Sequence, residues 1–394
     1  MRPIRTATRA LLASVVLAAS VAGCQIADEP QETGEIVIAA DLELSGAAAA
    51  AGQAYQRALE LKVEQVNQSG VLGGRTLKLE VKDNRSDPNE SLRNINDFTA
   101  NPAVQAIIMG SCGECAVGAA KTVNEKRVPT IALAASDEVA NPVAERRYLF
   151  KLAPNASDNA AALVAELKHQ RISKVSLLYT DDGYGHEGKQ AMEGELQKAK
   201  IKLDRSEHVK VTDNDVSNVV GDLVARKPGA LVIWATAEQA NLASVAARDA
   251  AFNGKLFFDA GAAGGLFLGT KVAKQTNGAT MVFTQTMVID DVIATTPAKA
   301  ARKQWFRDYT ARYGGYNGFS SFAADAVQLI TEAVNKAGST SDKVNRNGIR
   351  DVLETSQMEG LSGPIRMTPD NHSGLMPQAL TMLVARNGRW RLAS

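Results

Sequence analysis

Short apolar runs alternate with amphipathic stretches along the chain. The stretch QAYQRALELKVEQVNQSG is typical of a helix, because Tyr55, Leu59 and Val63 fall on one stripe. Gly70 is then the predicted helix stop. EIVIAADL predicts a buried strand, and further strands in this part of the chain are predicted at TLKLEVKD, VQAIIMG and VPTIALAA. Continuous apolar strands that alternate with helices indicate a parallel sheet covered on both faces.

The same alternation starts again in the second part of the chain. Strands are predicted at KVSLLYT, IKLDRSEHV, ALVIWAT and KLFFDA, with helices between them. Beyond MVFTQTMV, two long helices are predicted at TPAKAARKQWFRDYTARYG and SSFAADAVQLITEAVNKAG. The end differs, because QALTMLVARNGRWRLA predicts an antiparallel hairpin with its turn at Asn387 and Gly388. We therefore expect two α/β units of similar size, with the hairpin added to an existing sheet.

The start of the chain has the pattern of a secretory signal. Arg2, Arg5 and Arg9 precede LLASVVLAASVA, which is too short to span a bilayer. The following VAGC resembles the lipobox of bacterial lipoproteins, and that resemblance implies cleavage of residues 1–23 and a lipid on Cys24. Residues 24–34 would then be a lipidated N-terminus and tether. An ordinary signal with an unrelated cysteine is the alternative.

Charge excludes some partners. The full chain has 44 basic and 43 acidic residues, and the three arginines of the leader leave 41 basic residues after cleavage. A net charge near −2 does not favour nucleic acid or an anionic membrane surface as a partner. No later stretch of the sequence is long and apolar enough to span a membrane. A lipid on Cys24 would anchor the chain to the membrane without threading it through.

The loops that follow the predicted strands are the candidate site. In open α/β sheets, ligands bind outside the carboxyl ends of the strands. These loops are SGAAAAAG, GSCGEC, AASDE, TDDGYGHEG, WATAEQ and FDAGAAGG. Glycine-rich loops that open helices present free backbone amides, which favour a carboxylate or a similar anion. The acids singled out in these loops are Glu114, Asp137, Glu138, Asp181, Asp182, Glu238 and Asp259.

Catalysis finds little support in the sequence. Of the four histidines, His169 falls on a predicted helix, His208 in a strand and His372 in a polar turn. His186 lies at a candidate loop, where a nucleophile pair with a cysteine is conceivable. The sequence has no Gly-x-Ser-x-Gly elbow and no phosphate loop. We predict no enzyme and no cofactor.

Cys112 and Cys115 raise three possibilities in MGSCGECAVGAAK: a redox centre, half of a metal site, or a local disulfide. A metal site needs two further ligands, and no second cysteine pair supplies them. A redox role needs a thioredoxin-like context that the chain does not offer. An oxidising exterior favours the disulfide, which would stabilise by roughly 2 kcal/mol on the loop-entropy model. Two free thiols remain the alternative.

Four stretches carry a family resemblance. They are VNQSGVLGGRTLKLEVKDNRSDP, VPTIALAASDEVANP, LLYTDDGYGHEG and GLSGPIRMTPDNHS. With them the chain resembles the branched-chain amino acid (Leu/Ile/Val-binding protein) type of periplasmic binding protein, the solute receptors of ABC importers. The resemblance covers about residues 35–392. It implies the type I fold, with two doubly wound parallel-sheet lobes joined by three crossover segments and a ligand cleft between them.

The resemblance also implies a division of the chain and a set of partners. Lobe one would comprise 35–153 plus 285–360, and lobe two 154–284 plus 361–394. The partners would be a small solute and an ABC permease, and the protein would be a monomer on the outer face of the bacterial cytoplasmic membrane. No metal and no nucleic acid are implied.

Site residues follow from the resemblance position by position. Its carboxylate site maps onto SCGEC and AAS, where Ser136 adds a hydroxyl to the backbone groups. Tyr184 matches a cleft tyrosine, and the acid that holds an amine would fall near Gly261, where no acid stands. Glu114, Asp182, Glu238 or Asp259 could replace it. An aliphatic amino acid is the default solute from the resemblance, and an amide, a carboxylate without an amine or another small polar solute is the alternative. The expected ligand-binding residues are Cys112, Gly113, Glu114, Ala135, Ser136, Tyr184, Thr236, Glu238 and Asp259.

The functional hypothesis is therefore a lipid-anchored receptor that closes on a small solute and delivers it to an ABC importer. A sensor of the same fold that signals to a membrane partner is the alternative. A secreted enzyme that uses the cleft is the least favoured hypothesis, because the loops lack a credible acid/base set.

Overall fold

The computed structural model describes Met1 and residues 34–264, 270–340 and 344–393. The predicted leader, the lipid on Cys24 and nearly all of the tether lie outside the described residues.

The first lobe is built on a five-stranded parallel sheet in the order β2-β1-β3-β4-β5. Its strands are β1 (Glu35–Leu42), β2 (Thr76–Asp83), β3 (Val104–Met109), β4 (Thr130–Ala132) and β5 (Leu149–Lys151). Its first helices are α1 (Ala49–Ser69), α2 (Pro88–Ala100) and α3 (Gly113–Lys126). The apolar runs of the sequence are buried here: every residue of β1 after Glu35 lies in the core, and so does all of β4.

Local signals set the ends of these helices. Gly70 ends α1 with φ of +65°, in the left-handed region that glycine adopts without a Cβ penalty. Asp87 caps α2, because its side chain accepts hydrogen bonds from the Asn89 and Glu90 amides and Pro88 opens the first turn. The stop predicted at Gly70 is confirmed.

A second α/β unit follows with the strands β6 (Lys174–Thr180), β7 (Lys202–Val209), β8 (Ala230–Trp234), β9 (Lys255–Phe258) and β10 (Thr280–Thr284). All of these strands are parallel to one another where they pair. The helices of this unit are α4 (Ala156–His169), α5 (Gly183–Ala199), α6 (Ser217–Ala225), α7 (Ala237–Asp249) and α8 (Thr270–Gln275). Short 3-10 helices occur at Asp137–Val139, Val143–Glu145, Ala260–Gly264, Gln285–Asp291 and Pro377–Ala379.

The chain then returns to the first lobe. The helices α9 (Pro297–Tyr313), α10 (Ser320–Thr340) and α11 (Arg346–Leu353) pack there. Tyr313 donates its hydroxyl to the Arg57 carbonyl of α1 at 2.9 Å, and Arg346 donates to the Val104 carbonyl of β3 at 2.8 Å. A two-stranded antiparallel pair follows, formed by β11 (Gln357–Glu359) and β12 (Pro364–Arg366).

The C-terminal hairpin completes the second sheet. Its strands are β13 (Leu380–Arg386), antiparallel to β10, and β14 (Arg389–Leu392). The seven-stranded sheet has the order β14-β13-β10-β9-β8-β6-β7. The turn lies at the predicted Asn387 and Gly388, both with positive φ. The chain thus passes between the sheets after β5, after β10 and after β12, which confirms the two-lobed α/β fold. The residue limits of the lobes stay a proposal.

His372 is a correction to the sequence analysis. It was expected in a polar turn, but it is wholly buried and stacks on Phe150 with ring centroids 4.2 Å apart. Its Nδ1 lies 3.0 Å and 3.1 Å from the carbonyl oxygens of Arg146 and Leu149. The third crossing packs against the end of β5, where the Lys151 amide donates to the His372 carbonyl at 3.0 Å. This contact between distant segments buries His372, whereas the turn before it, at residues 369–371, is exposed.

Within the described residues, no helix combines the length and the apolar character needed to cross a membrane.

Candidate functional site

The loops at the carboxyl ends of the two sheets face each other. In the first lobe, Cys112, Gly113 and Glu114 follow β3, and Ala135 and Ser136 follow β4. In the second lobe, Tyr184 lies in the first turn of α5 after β6, Thr236 and Glu238 follow β8, and Asp259 follows β9. The two sets meet: a Cβ built on Gly183 would lie 2.5 Å from Glu114 Oε1.

Glu43 underlies the lobe-one side of the cleft. It lies directly after β1 and is wholly buried. Its carboxylate accepts hydrogen bonds from the Ser111 amide at 3.0 Å, the Ser111 hydroxyl at 3.2 Å and the Cys112 amide at 3.0 Å. Burial raises the pKa of Glu43, and the two amides oppose that rise. This carboxylate therefore fixes the backbone that leads into the CGEC turn.

Small residues make room for Glu43. A Cβ on Gly110 would lie 2.1 Å from Glu43 Oε2, and a Cβ on Gly52 would lie 2.0 Å from the Glu43 carbonyl oxygen. Real Cβ atoms do not approach so closely, so both positions need glycine. The sequence analysis missed Glu43, because it counted acids only from the glycine- and alanine-rich loop onward. The available signal was an acid at the carboxyl end of a buried strand.

The CGEC turn opens α3. The sulfur atoms of Cys112 and Cys115 are 1.97 Å apart, and Sγ of Cys112, the N-cap residue, accepts from the Cys115 amide at 3.1 Å. The amides of Gly113 and Glu114 stand in the first helical turn, where helix geometry supplies no carbonyl partner. A Cβ on Gly113 would lie 2.9 Å from the Ser136 Cβ. The turn and the AAS loop are thus in contact.

A buried lysine holds the AAS loop in place by hydrogen bonds. Lys151 has no exposed surface. Its ammonium donates to the Ala135 carbonyl at 3.2 Å, the Ala153 carbonyl at 3.1 Å and Asn155 Oδ1 at 2.6 Å. Burial lowers the pKa of Lys151 to about 8, and three nearby carboxylates, those of Asp137, Glu187 and Asp158, oppose the shift. Sequence reasoning missed this residue as well.

Asp259 organises the lobe-two side. It is wholly buried and accepts from the Ala235 amide at 3.1 Å, the Gly261 amide at 2.8 Å and the Tyr184 hydroxyl. Burial raises its pKa to about 7 against these three donors. Burial also raises the pKa of Tyr184 well above its usual value, and the charge of Asp259 adds to that rise. Asp259 therefore holds the tyrosine in place and is not itself open to solvent.

The position where the resemblance expected an acid has no room for one. A Cβ on Gly261 would lie 2.5 Å from the Tyr184 hydroxyl and 3.0 Å from the Ala235 carbonyl oxygen. Asp182 caps α5 instead, because its Oδ1 accepts from the Gly185 amide at 2.9 Å. Glu238 is exposed. Of the replacement acids, Glu114 is the one that lies against the opposite lobe.

Two other predicted features have local roles. Thr236 donates its hydroxyl to Gln239 Oε1 at 2.9 Å, within its own helix start. His186 is exposed, and its Nε2 lies 3.0 Å from Asp181 Oδ1. In the part of the chain that the structure describes, no group of three or more His, Cys, Asp or Glu side chains is arranged to hold a metal ion.

The chain is similar to known proteins over most of its length. Residues 35–389 match the family model described as periplasmic binding protein. The chain belongs to this family. An extracellular ligand-binding receptor from Rhodopseudomonas palustris is 21% identical with a TM-score of 0.82, covering 92% of this chain and 100% of that one. A leucine-binding protein from Thermotoga maritima is 18% identical with a TM-score of 0.76, covering 91% and 98%.

A third solved structure widens the range of ligands among similar folds. It is an ABC transporter solute-binding protein from R. palustris in complex with 4-hydroxybenzoate, 15% identical with a TM-score of 0.78, covering 91% of this chain and 96% of that one. At such identities the likeness shows the fold of a periplasmic binding protein and no more. The ligand-binding residues of this family member stay predictions.

Proposed function

We propose that the protein is a lipid-anchored extracytoplasmic receptor that binds a small solute between its lobes and delivers it to an ABC importer. The observation that carries the proposal is the meeting of strand-end loops from two separate sheets. Amides of Gly113 and Glu114 on one side oppose the start of α5 on the other, where Glu114 lies against Gly183. Binding sites of open α/β sheets lie at such edges.

The proposed mechanism is hinge bending at the three crossings. Solute drives closure because it binds the closed arrangement more tightly than the open one. Asp325 of α10 fixes the turn between β11 and β12, just before the third crossing, since its carboxylate accepts from the Leu361 amide at 2.7 Å and the Ser362 amide at 2.8 Å. The residues beyond this anchor would then bend as the lobes close.

The default solute is an aliphatic amino acid, taken from the resemblance. Gly113, Ala135 and Ser136 would hold its carboxylate, and Glu114 would hold its amine. Tyr184 would cover the bound solute from lobe two. A disulfide between Cys112 and Cys115 would keep the CGEC turn rigid, so that its amides are positioned before solute arrives.

The test is a thermal-shift screen of the mature protein against amino acids, amides, short carboxylates, aromatic acids, polyamines and sugars. A solute at a hundred times its dissociation constant adds about 2.7 kcal/mol to the free energy of unfolding, which raises the melting temperature measurably. Ser136→Ala should reduce the shift, whereas Glu138→Gln, at an exposed acid two residues away, should leave it unchanged. A screen without any shift would contradict the receptor function.

The anchor needs its own experiment. Cys24→Ser should release the protein from the membrane fraction into the soluble one, because the lipid has no other attachment point in this proposal. Retention of the variant on membranes after a salt wash would contradict the lipoprotein assignment. A variant of a nearby tether residue, Gln25→Ala, is the matched control.

A further inference from the structure

The side chain of Glu187 connects the two lobes by a hydrogen bond. It lies on α5 of lobe two, and its Oε1 accepts a hydrogen bond from the Asp137 amide of lobe one at 2.6 Å. Burial raises the pKa of Glu187, and hydrogen bonds from the Asp137 amide and the Ser136 side chain oppose the rise. A carboxylate of the protein itself is therefore bound by the loop that follows β4.

This loop is the one to which the resemblance assigned a carboxylate of the solute. Ser136 was expected to contribute its hydroxyl there, and the neighbouring amides were expected to donate. The Asp137 amide instead donates to Glu187 at 2.6 Å, and the Ser136 side chain lowers the pKa of the same carboxylate. A solute carboxylate can take the Asp137 amide only if Glu187 leaves it.

The local charge also disfavours a second carboxylate. Asp137, Asp158 and Glu187 all act on the buried ammonium of Lys151. Asp137 in turn raises the pKa of Glu187 by repulsion between like charges, and Lys151 lowers it. One buried cation thus faces three acids. A further anion would add repulsion that this single lysine does not offset, because like charges at close range destabilise each other.

An unsatisfied acceptor points to the kind of group that fits instead. Oδ1 of Asp137 is buried and accepts no hydrogen bond from any residue that the structure describes. A buried acceptor without a donor costs free energy, whereas a donor brought by a solute would remove that cost. An ammonium or amide N–H supplies such a donor, and a carboxylate does not.

We infer that Glu187 is a built-in competitor for solute carboxylates and thereby determines solute selectivity. The cleft takes a solute that presents an ammonium or amide N–H, and no carboxylate, to the loop at Ser136 and Asp137. The inference rests on the proposed receptor function and replaces its default solute, an amino acid held by its carboxylate at this loop. An amino acid binds with its carboxylate at this loop only by displacing Glu187.

The test uses pairs of solutes that differ by a carboxylate alone: L-leucine with 3-methylbutylamine, and L-phenylalanine with 2-phenylethylamine. Dissociation constants are measured by calorimetry for the wild type and for Glu187→Ala. The wild type should bind the amine of a pair at least tenfold more tightly than the amino acid. Glu187→Ala should move that ratio at least tenfold toward the amino acid, because the loop donors become free.

Two further variants make the experiment decisive. Glu187→Gln keeps the size of the side chain without its charge, and should move the ratio in the same direction by a smaller factor. Glu193→Ala removes an acid of the same helix that pairs with Lys189 at 3.4 Å, and should leave the ratio unchanged. Circular dichroism checks that each variant is folded.

The opposite outcomes are distinct. A ratio that Glu187→Ala leaves unaltered, or a wild type that binds the amino acid more tightly, overturns the inference and leaves the receptor function intact. Binding of sugars alone from the wider panel has the same meaning. No binding of any solute by any variant overturns the receptor function, and the inference falls with it.

Discussion

Each lobe buries a carboxylate that directly follows a strand of its sheet, Glu43 after β1 and Asp259 after β9, and the two are used in different ways. Glu43 of lobe one accepts its hydrogen bonds from one short segment: the amides of Ser111 and Cys112 and the Ser111 hydroxyl. Asp259 of lobe two joins three segments, through the Ala235 amide, the Gly261 amide and the Tyr184 hydroxyl. The same chemical group thus shapes a backbone turn in one lobe and places an aromatic side chain in the other.

This difference means that the two faces of the cleft can respond differently to pH. Burial raises the pKa of both carboxyls, since each loses its contact with water. Backbone amides are the main donors to Glu43, and they do not titrate. Asp259 is bonded to a side chain that is part of the proposed binding surface, so its protonation changes a contact at the cleft itself.

The largest expected effect concerns the pH dependence of stability through Asp259. Its pKa is about 7 in the folded chain, against an ordinary value of 3.8 for an aspartate side chain. Its contribution to stability is therefore fully present below pH ~4 and is lost as the pH rises through about 7, by roughly 4 kcal/mol at most. Asp259→Asn should lack this decline. Urea unfolding at several pH values measures it, with exposed Glu238→Gln as control; parallel pH profiles of wild type and Asp259→Asn would contradict the expectation.

Removal of Glu43 should have the next largest effect. Glu43→Ala leaves the half-buried amides of Ser111 and Cys112 without their acceptor and opens a cavity at a wholly buried position, so the free energy of unfolding should fall by about 3 kcal/mol. Urea denaturation at neutral pH measures the change. Glu138→Ala, at an exposed acid of the same lobe, should cost less than about 0.5 kcal/mol. A cost for Glu43→Ala no larger than that of the control would show that the turn does not depend on the carboxylate.

The cysteines of the turn that Glu43 supports should contribute less. Replacing both Cys112 and Cys115 by alanine should lower the free energy of unfolding by about 2 kcal/mol, because a loop of this length closes with little entropy. The wild type treated with a reductant should lose a similar amount, while the double variant should not respond to the reductant. Equal responses of the two proteins would mean that the bond is not formed in solution.

Much of the fold could be predicted because it depends on local patterns of apolar, polar and turn residues in the sequence. Continuous apolar runs predicted the buried strands, and Asn387 with Gly388 predicted the hairpin turn that the structure has. Two three-residue strands, β5 and β11, were not predicted, because polar residues such as Lys151 of β5 interrupt their apolar runs. The three crossings came from the family resemblance and not from periodicity, and the order of the strands was not predicted.

The residues of the candidate site also separate into those that the sequence could indicate and those that it could not. Asp259 and Tyr184 stood in loops that follow strands, so they could be singled out, although their hydrogen bond joins residues far apart in sequence. Glu187 stood in TDDGYGHEG but was not singled out, and Lys151 belongs to a short strand that was not predicted. The role of Glu187 depends on a contact between the lobes, with the Asp137 amide. The role of Lys151 depends on a contact within lobe one, with the Ala135 carbonyl. Contacts of that range leave no local pattern in the chain.

The smallest expected effect concerns the Tyr184 hydroxyl, the aromatic side-chain donor that distinguishes Asp259 from Glu43 in this comparison. Tyr184→Phe removes one of three donors to Asp259, and should lower the free energy of unfolding by about 1 kcal/mol at neutral pH. Because the hydrogen bond from Tyr184 lowers the pKa of Asp259, its loss should raise that pKa above the wild-type value of about 7. The pH at which the Asp259 contribution to stability disappears should then move upward.

Carbon-detected NMR titration of the Asp259 carboxyl reads this pKa directly. Tyr179→Phe, which alters another tyrosine of lobe two but none of the three donors to Asp259, should leave the titration unchanged. An unaltered pKa in Tyr184→Phe would mean that the two amides alone hold the carboxylate. Asp259 would then resemble Glu43, a carboxylate that shapes backbone, and the difference between the lobes would lie only in where their aromatic side chains pack.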